Sequence, residues 1–158
     1  MSTFPGDRRD LAAMFAPLTR VLIAREEPVL AAHGISMWGY IVLTALVEQP
    51  VRTQAVLAQA INADKSRIIS VLDDLQERGL IQRQPDAADR RVHLLWLTPA
   101  GDKLRESVEA AIRIREAEVL AALAPADREV FLRSLKALYE LHGRHERLGT
   151  APPASPRR

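Results

Sequence analysis

The chain has 158 residues, of which 47% are hydrophobic, 27% are charged and 4% are aromatic. This length fits one domain, or one domain with a shared dimer interface, and the dominance of Leu, Ala, Val and Ile favours packed helices. The absence of cysteine excludes disulfides, thiolate metal ligands and thiol redox switches, and the formal net charge of +2 is too small to indicate nucleic-acid binding by itself.

The two ends of the chain differ in composition from its patterned middle. Residues 1–6 and the proline-containing tail 149–158 are expected to be flexible, whereas residues 7–148 are predicted to form a single unit. No run approaches the roughly 18 apolar residues of a spanning helix. The first ten residues also lack the apolar core of a signal peptide, so we expect a cytoplasmic protein.

The first patterned segment predicts a long amphipathic helix at about 8–32. Its apolar residues recur at spacings of three and four; they are Leu11, Met14, Phe15, Leu18, Val21 and Leu22. Pro17 and Pro28 lie inside this segment, and an interior proline removes a backbone hydrogen bond. We therefore expect a kink or break near each proline, with two helical pieces as an alternative to one, and an end at Gly34.

Three shorter helices are predicted next, each after a residue that suits a helix N-cap. Ser36 precedes a helix that carries Trp38, Ile41, Val42 and Ala45 and stops by Pro50. Thr53 precedes a short helix whose inner face is predicted to hold Val56, Leu57, Ala60 and Ile61. Asp64 precedes a helix that ends at Gly79 and has an inward stripe of Ile68, Val71, Leu72 and Leu75.

A β-hairpin and two long helices complete the predicted elements. Residues 80–83 and 92–97 suit two strands about a polar loop. Thr98 and Pro99 start a helix as cap and first position, and Ala124 and Pro125 start another. Together with the first helix, these two carry more apolar surface than one small domain buries, so we expect a second copy of the chain to cover it.

The predicted fold class is therefore mainly α with a small β-hairpin. A winged helix-turn-helix at about 36–98 lies between dimerisation helices at about 8–32 and 99–147.

The outer face of the helix after Asp64 is divided by charge. Its first two turns carry Lys65, Ser66, Arg67, Ile69 and Ser70, whereas Asp73, Asp74 and Glu77 come later. A recognition helix enters the major groove by its N-terminal part, where cations and hydroxyls reach bases or phosphates. The order indicates a DNA-binding helix, with an ordinary mixed-charge surface helix as the alternative.

The polar loop 85–91 supplies a second candidate for DNA contact. Asp86 and Asp89 suit hydrogen bonds to turn backbone, while Arg90 and Arg91 lie at or just after the tip, where arginine enters a narrow minor groove. Arg83 is placed to reach a phosphate. The alternative is a solvated loop whose charges pair with one another.

The run from Ser66 to Gly101, "SRIISVLDDLQERGLIQRQPDAADRRVHLLWLTPAG", resembles the signature of the MarR family of bacterial transcriptional regulators. The matching positions are Leu75, Glu77, Gly79, Asp86, Asp89, Arg90, Arg91, Leu97, Thr98 and Gly101. The resemblance implies a homodimer that binds the halves of a near-palindromic operator. It departs from the family pattern at Ala88, where the wing often carries arginine, and at the interior Pro28.

The predicted DNA contacts follow from the charge order and the resemblance together. They are Thr53, Gln54, Lys65, Ser66, Arg67, Ser70 and Arg83, with Arg90 or Arg91 in the minor groove. Many members of this family release DNA when a small aromatic anion enters a crevice beside the dimer region, which implies a ligand-released repressor. The candidate ligand residues are Arg20, His33, Trp38 and Tyr40, with helix packing as the alternative for Trp38.

Other classes of function find less support in the sequence. There is no Gly-rich phosphate loop, nucleophile elbow or His–carboxylate motif, so neither an enzyme nor a cofactor is predicted. His142 and His145 lie three apart beside Glu146, but without a third ligand no metal site is predicted. His93 is expected to be solvated or to touch a phosphate. A helical dimer that binds another protein without responding to a ligand is the alternative function.

Overall fold

In the computed structural model of this chain, the described residues are 9–48 and 52–143. Their elements are α1 (Leu11–Ala32), α2 (Met37–Glu48), β1 (Arg52–Thr53), α3 (Gln54–Ala60), α4 (Lys65–Glu77), β2 (Ile81–Pro85), β3 (His93–Leu97), α5 (Pro99–Leu120) and α6 (Pro125–Leu138), continued by a π-helical turn at Tyr139–Gly143. The ends expected to be flexible, and His145 with Glu146, lie outside the described residues. The mainly helical class is confirmed.

Local capping explains where the helices begin. The Asp10 carboxylate accepts from the Ala13 amide at 2.8 Å and the Ser36 hydroxyl from the Gly39 amide at 3.0 Å. Thr53 and Thr98 accept in the same way from Val56 and Gly101, at 3.2 and 3.0 Å. Each bond satisfies an amide that has no partner within its helix. The predicted caps Ser36, Thr53 and Thr98 are confirmed.

The expected break at the prolines of α1 is wrong. The helix runs unbroken from Leu11 to Ala32 with Pro17 and Pro28 inside it. Val29 and Leu30, directly after Pro28, are buried, and α1 packs along α5. The Arg25 guanidinium lies 2.8 Å from the Glu118 carboxylate of α5. This tertiary packing offsets the hydrogen bonds that the prolines remove.

The core lies between α2, α3, α4, the sheet and the first half of α5. Its most deeply buried side chains are Val42, Leu43, Leu46, Leu57, Ile68, Leu72, Leu75, Ile81, Leu95 and Val108. The predicted inward stripe of α4 is confirmed, with Val71 half-buried at its edge. The predicted inner face of α3 is confirmed at Leu57, which is buried, and wrong at Val56, which is 48% exposed; Ala58, which was not predicted, is also buried.

The sheet has three strands in the order β1-β3-β2, one more than the predicted hairpin. Strands β2 and β3 pair antiparallel from Ile81 opposite Leu97 to Pro85 opposite His93, which confirms the hairpin. The added strand β1 pairs Arg52 with Leu95 and Thr53 with Leu94. We call β2, β3 and the loop between them the wing. Through β1, the wing is joined directly to the start of α3.

A close backbone contact joins the end of α4, the wing and α5. The Thr98 hydroxyl oxygen lies 2.7 Å from the Gly79 carbonyl oxygen and 3.0 Å from that of Leu80. The Thr98 amide donates to the same Leu80 carbonyl at 3.1 Å. A Cβ on the buried Gly101 would stand 2.0 Å from this oxygen, so only glycine fits.

The N-terminal and C-terminal helices leave apolar side chains uncovered. No residue of α6 is buried, and its exposed apolar side chains are Val130, Leu132, Leu135 and Leu138. On α1 they are Leu11, Met14, Phe15, Val21 and Ile23.

Among the described helices, none alone is long and apolar enough to cross a membrane. Helix α1 and residues 37–47 reach that length and composition only as a pair bent by 90°.

Gly101→Ala is expected to lower the free energy of unfolding by about 3 kcal/mol or more, because the new Cβ collides with backbone. Gly79→Ala is the matched control. Gly79 has φ of +69° but no atom within 4 Å of an added Cβ, so we expect a cost of about 1–2 kcal/mol from backbone strain alone. Urea denaturation at equal protein concentration measures both. Equal losses for the two variants would contradict the close contact at Gly101.

In the folded protein, the ionised form of the Glu26 side chain on α1 is disfavoured. Partial burial, together with the Glu116 carboxylate, raises the pKa of Glu26 above its ordinary value of 4.5. At a pH between the ordinary value and the folded pKa, the carboxyl of Glu26 is therefore protonated in the folded protein and ionised in the unfolded chain. Consequently, the stability that Glu26 contributes falls as the pH rises above the ordinary value of 4.5, and the loss is complete once the pH has passed the folded pKa.

Glu26→Gln is expected to stabilise the protein at pH 7.5, because the neutral amide replaces a disfavoured charge. The gain should shrink toward zero at pH 4, where the native side chain is protonated in both states. Urea midpoints at the two pH values measure it, with the exposed neighbour changed in Glu27→Gln as the control. A gain that is equal at both pH values would show that the charge of Glu26 is not its cause.

Candidate nucleic-acid interface

The first two turns of α4 present a polar face to solvent beside a buried stripe. Ile68 is buried, whereas Arg67, Ile69 and Ser70 are exposed. The Ser70 hydroxyl donates to the Arg67 carbonyl at 3.0 Å. Lys65 and Ser66 are the first two residues of this helix. From Arg67 to Ser70, α4 therefore has exposed side chains next to one that is anchored in the core.

Arg67 lies on the side of α4 that faces α2. Its guanidinium carbon is 5.5 Å from the ring centroid of Trp38, within the range of a cation–π contact. Arg67 forms no ion pair with another described residue. Within the described part of the chain, the guanidinium group of Arg67 therefore contacts an aromatic ring and is not neutralised by a carboxylate.

Two carboxylates in the second half of α4 form ion pairs with arginines of the same chain. Arg83 on β2 donates to the Asp73 carboxylate and to the Gln76 side-chain oxygen. Arg78 lies 3.1 Å from Asp74. The Arg83 side chain is only 19% exposed. In the free protein, Arg83 is thus engaged in joining the wing to α4, whereas the sequence suggested a phosphate contact.

The loop of the wing is built by its two aspartates. The Asp86 carboxylate accepts from the Ala88 amide at 2.7 Å, and Asp89 accepts from the Arg91 amide at 3.0 Å. The predicted turn is confirmed. Arg90 and Arg91 are exposed, and neither forms an ion pair with another described residue. The wing therefore presents two uncompensated guanidinium groups, and the expected alternative of a self-paired loop is not observed.

A pocket of about 430 Å³ lies between α3, α4 and the wing. Its apolar lining comes from Ala55, Ala58, Ile68, Ile69 and Val92, and its polar lining from Thr53, Gln54, Arg91 and His93. The fold thus brings three predicted DNA residues, Thr53, Gln54 and Arg91, to one site. Sequence reasoning did not select Ile69, although an isoleucine among polar residues on the outer face of α4 was an available signal.

The four candidate ligand residues do not form one wall. Trp38 faces α4, whereas Tyr40 lies near Thr44 and near Glu109 of α5. Partial burial and the Glu109 carboxylate raise the pKa of the Tyr40 hydroxyl. Trp38 and Tyr40 are two residues apart, which corresponds to a rotation of about 200° about the helix axis. Their side chains therefore lie on nearly opposite sides of α2.

The remaining two ligand candidates lie on or next to α1. The His33 ring nitrogens lie 2.8 Å from the Val29 carbonyl oxygen and 3.2 Å from the Ser107 hydroxyl. Arg20 is exposed on α1. His33 therefore joins the end of α1 to α5. Within residues 9–48 and 52–143, no three His, Cys, Asp or Glu side chains are grouped so as to hold a metal ion.

Comparisons with known proteins agree with this architecture. The family model described as MarR family matches residues 33–92. A putative transcriptional regulatory protein for the hcr operon of Thauera aromatica is 31% identical over 132 residues, which cover 84% of this chain and 75% of the relative.

Solved structures show the same fold. Wild-type MarR of E. coli, at 19% identity, superposes with a TM-score of 0.76 over 84% of this chain and 98% of its own. A Mycobacterium tuberculosis MarR family protein in complex with p-aminosalicylic acid is 25% identical, with a TM-score of 0.70 over 82% of this chain and 98% of its own. The chain therefore belongs to the MarR family of winged helix-turn-helix transcriptional regulators.

Proposed function

We propose that this protein is a homodimeric repressor that binds a near-palindromic duplex operator through α4 and the wing, and that a small molecule releases it. The observation that carries the proposal is the distribution of charge on the winged domain. Asp73 and Asp74 of α4 are paired with Arg83 and Arg78, whereas Arg67, Arg90 and Arg91 have no acidic partner among the described residues. Exposed cations that are not neutralised by a carboxylate suit a polyanion.

The uncovered faces of α1 and α6 support the homodimer. Their exposed apolar side chains have no cover within the described part of one chain, and soluble monomers seldom leave so much apolar surface in contact with water. A second copy supplies the same two helices, so a twofold interface covers both faces at once. Such a dimer presents two α4 helices, which matches a two-part operator.

The proposed effector is a small aromatic acid, which is the class of the p-aminosalicylic acid in the complex of the Mycobacterium tuberculosis relative. Because Trp38 and Tyr40 face different neighbours, we place the effector beside Tyr40, His33 and α5 rather than against all four residues. Binding at the junction of α1, α2 and α5 would alter the spacing of the two winged domains, and with it the affinity for DNA.

The proposal is tested by selection of bound fragments from random duplex DNA, followed by titration of the selected duplex at several salt concentrations. We expect a symmetric site and a steep loss of affinity with salt, because each phosphate contact releases counterions. Sedimentation of the free protein should give a dimer. A folded monomer without preference for any duplex would favour the protein-interaction module instead.

Changing both Arg90 and Arg91 to Ala should lower the salt slope by about one unit for each phosphate that the wing no longer neutralises. Affinity should fall more on operators with A·T-rich flanks than on G·C-rich ones, because a narrow minor groove attracts guanidinium most strongly. Changing Arg113 and Arg115 to Ala is the matched control, since it removes the same charge from α5. If both variants lose affinity equally, net charge rather than the wing is responsible.

Trp38 is expected to act on DNA through Arg67. Trp38→Leu should weaken binding about threefold, the size of an exposed cation–π contact, and Trp38→Phe, which keeps a ring, should weaken it less. In an Arg67→Ala background, Trp38→Leu should add nothing. Affinities of the four proteins in this cycle, with circular dichroism to verify the fold, measure the coupling. Additive losses would show that Trp38 acts independently of Arg67.

A further inference from the structure

Ile69 is an apolar side chain exposed on a face that is otherwise polar. It is 45% exposed, whereas its neighbour Ile68 is 1% exposed and belongs to the core. Arg67 and Ser70 lie on either side of the pair and are exposed. Single exposed apolar side chains are common on protein surfaces, so what distinguishes Ile69 is its surroundings.

The surroundings of Ile69 are both apolar and placed at the proposed DNA interface. Ile69 lines the pocket together with Ala55, Ala58 and Val92. The same pocket is lined by Thr53, Gln54 and Arg91, which are proposed DNA contacts. An apolar surface bordered by such residues would face a groove of the duplex. In the major groove, the 5-methyl group of thymine is the apolar group that a base pair presents.

We propose that Ile69 is a specificity-determining residue that contacts the 5-methyl group of a thymine in each half of the operator. This inference rests on the proposed function. Contact with Ile69 would remove the methyl group and part of the pocket from water without any hydrogen bond. Burial of one methyl group corresponds to about a fourfold gain in affinity per half-site. Two half-sites in one dimer would together give about fifteenfold.

The test replaces thymine by uracil, one symmetric pair of positions at a time, in the duplex selected by the full chain. Uracil keeps the base pairing and the charge and removes only the methyl group. We expect the unaltered protein to lose about fifteenfold in affinity at one symmetric pair of positions. With Ile69→Ala, thymine and uracil should bind equally well there, whereas Ile69→Val should retain most of the difference.

Val56→Ala is the matched control. Val56 is a similarly exposed apolar residue, on α3, and does not line the pocket. It should leave the thymine-to-uracil ratio unchanged. Circular dichroism and urea midpoints check that the exposed substitutions preserve the fold.

The outcomes separate this inference from the proposed function. If the protein selects a symmetric duplex but no thymine-to-uracil change matters, the contact does not exist, while the regulator stands. If Ile69→Ala keeps the full thymine preference, another residue contacts the methyl group and the inference is overturned. If no duplex is selected at all, the proposed function fails, and this inference fails with it.

Discussion

The hydroxyl of Thr98 and the missing side chain of Gly101 fix the three parts of the winged domain relative to one another. Thr98 caps α5. Its hydroxyl oxygen also lies within hydrogen-bond distance of the Gly79 and Leu80 carbonyls, in the connection between α4 and β2. The Leu80 carbonyl is part-buried, and a buried carbonyl needs such a partner. The close approach at Gly101 leaves little freedom for α5 to rotate against α4. The start of α5, the end of α4 and the start of β2 are therefore held together at one point.

Contacts within the winged domain also determine which charged side chains remain exposed and unpaired among the described residues. With a net charge of only +2, the chain as a whole attracts DNA weakly. Arg83 of β2 donates to Asp73 and Gln76, so the negative charge on the second half of α4 is partly neutralised by an arginine of the same chain. Asp86 and Asp89 are engaged with loop backbone, and within residues 9–48 and 52–143 neither Arg90 nor Arg91 has a carboxylate partner. Local pairing thus creates a cationic face on a nearly neutral protein.

The sequence predicted best what is decided locally. The caps at Ser36, Thr53 and Thr98 and the aspartate-built turn depend on bonds within three residues, and the structure has them. The break at Pro28 was predicted wrongly because packing of α1 on α5 outweighs a local preference. Strand β1 has only two residues, too few to show an alternating pattern. The Arg83 contacts span seven and ten residues and were not visible from spacing alone.

The candidate site shows the same division. The charge order along α4 was visible in the sequence, whereas the placement of Trp38 against Arg67 required the packing of α2 on α4. The separation of Trp38 from Tyr40 was predictable from the helical period, since residues two apart lie on different faces.

Hydrogen exchange of the full chain, free and bound to its selected duplex, tests most directly whether α4 and the wing form one DNA-binding surface. Exchange should slow in residues 64–70 and 86–93 together on binding, because DNA would cover both and restrict their opening. Slowing confined to α1 and α6, with both of those segments unchanged, would contradict an interface built from α4 and the wing.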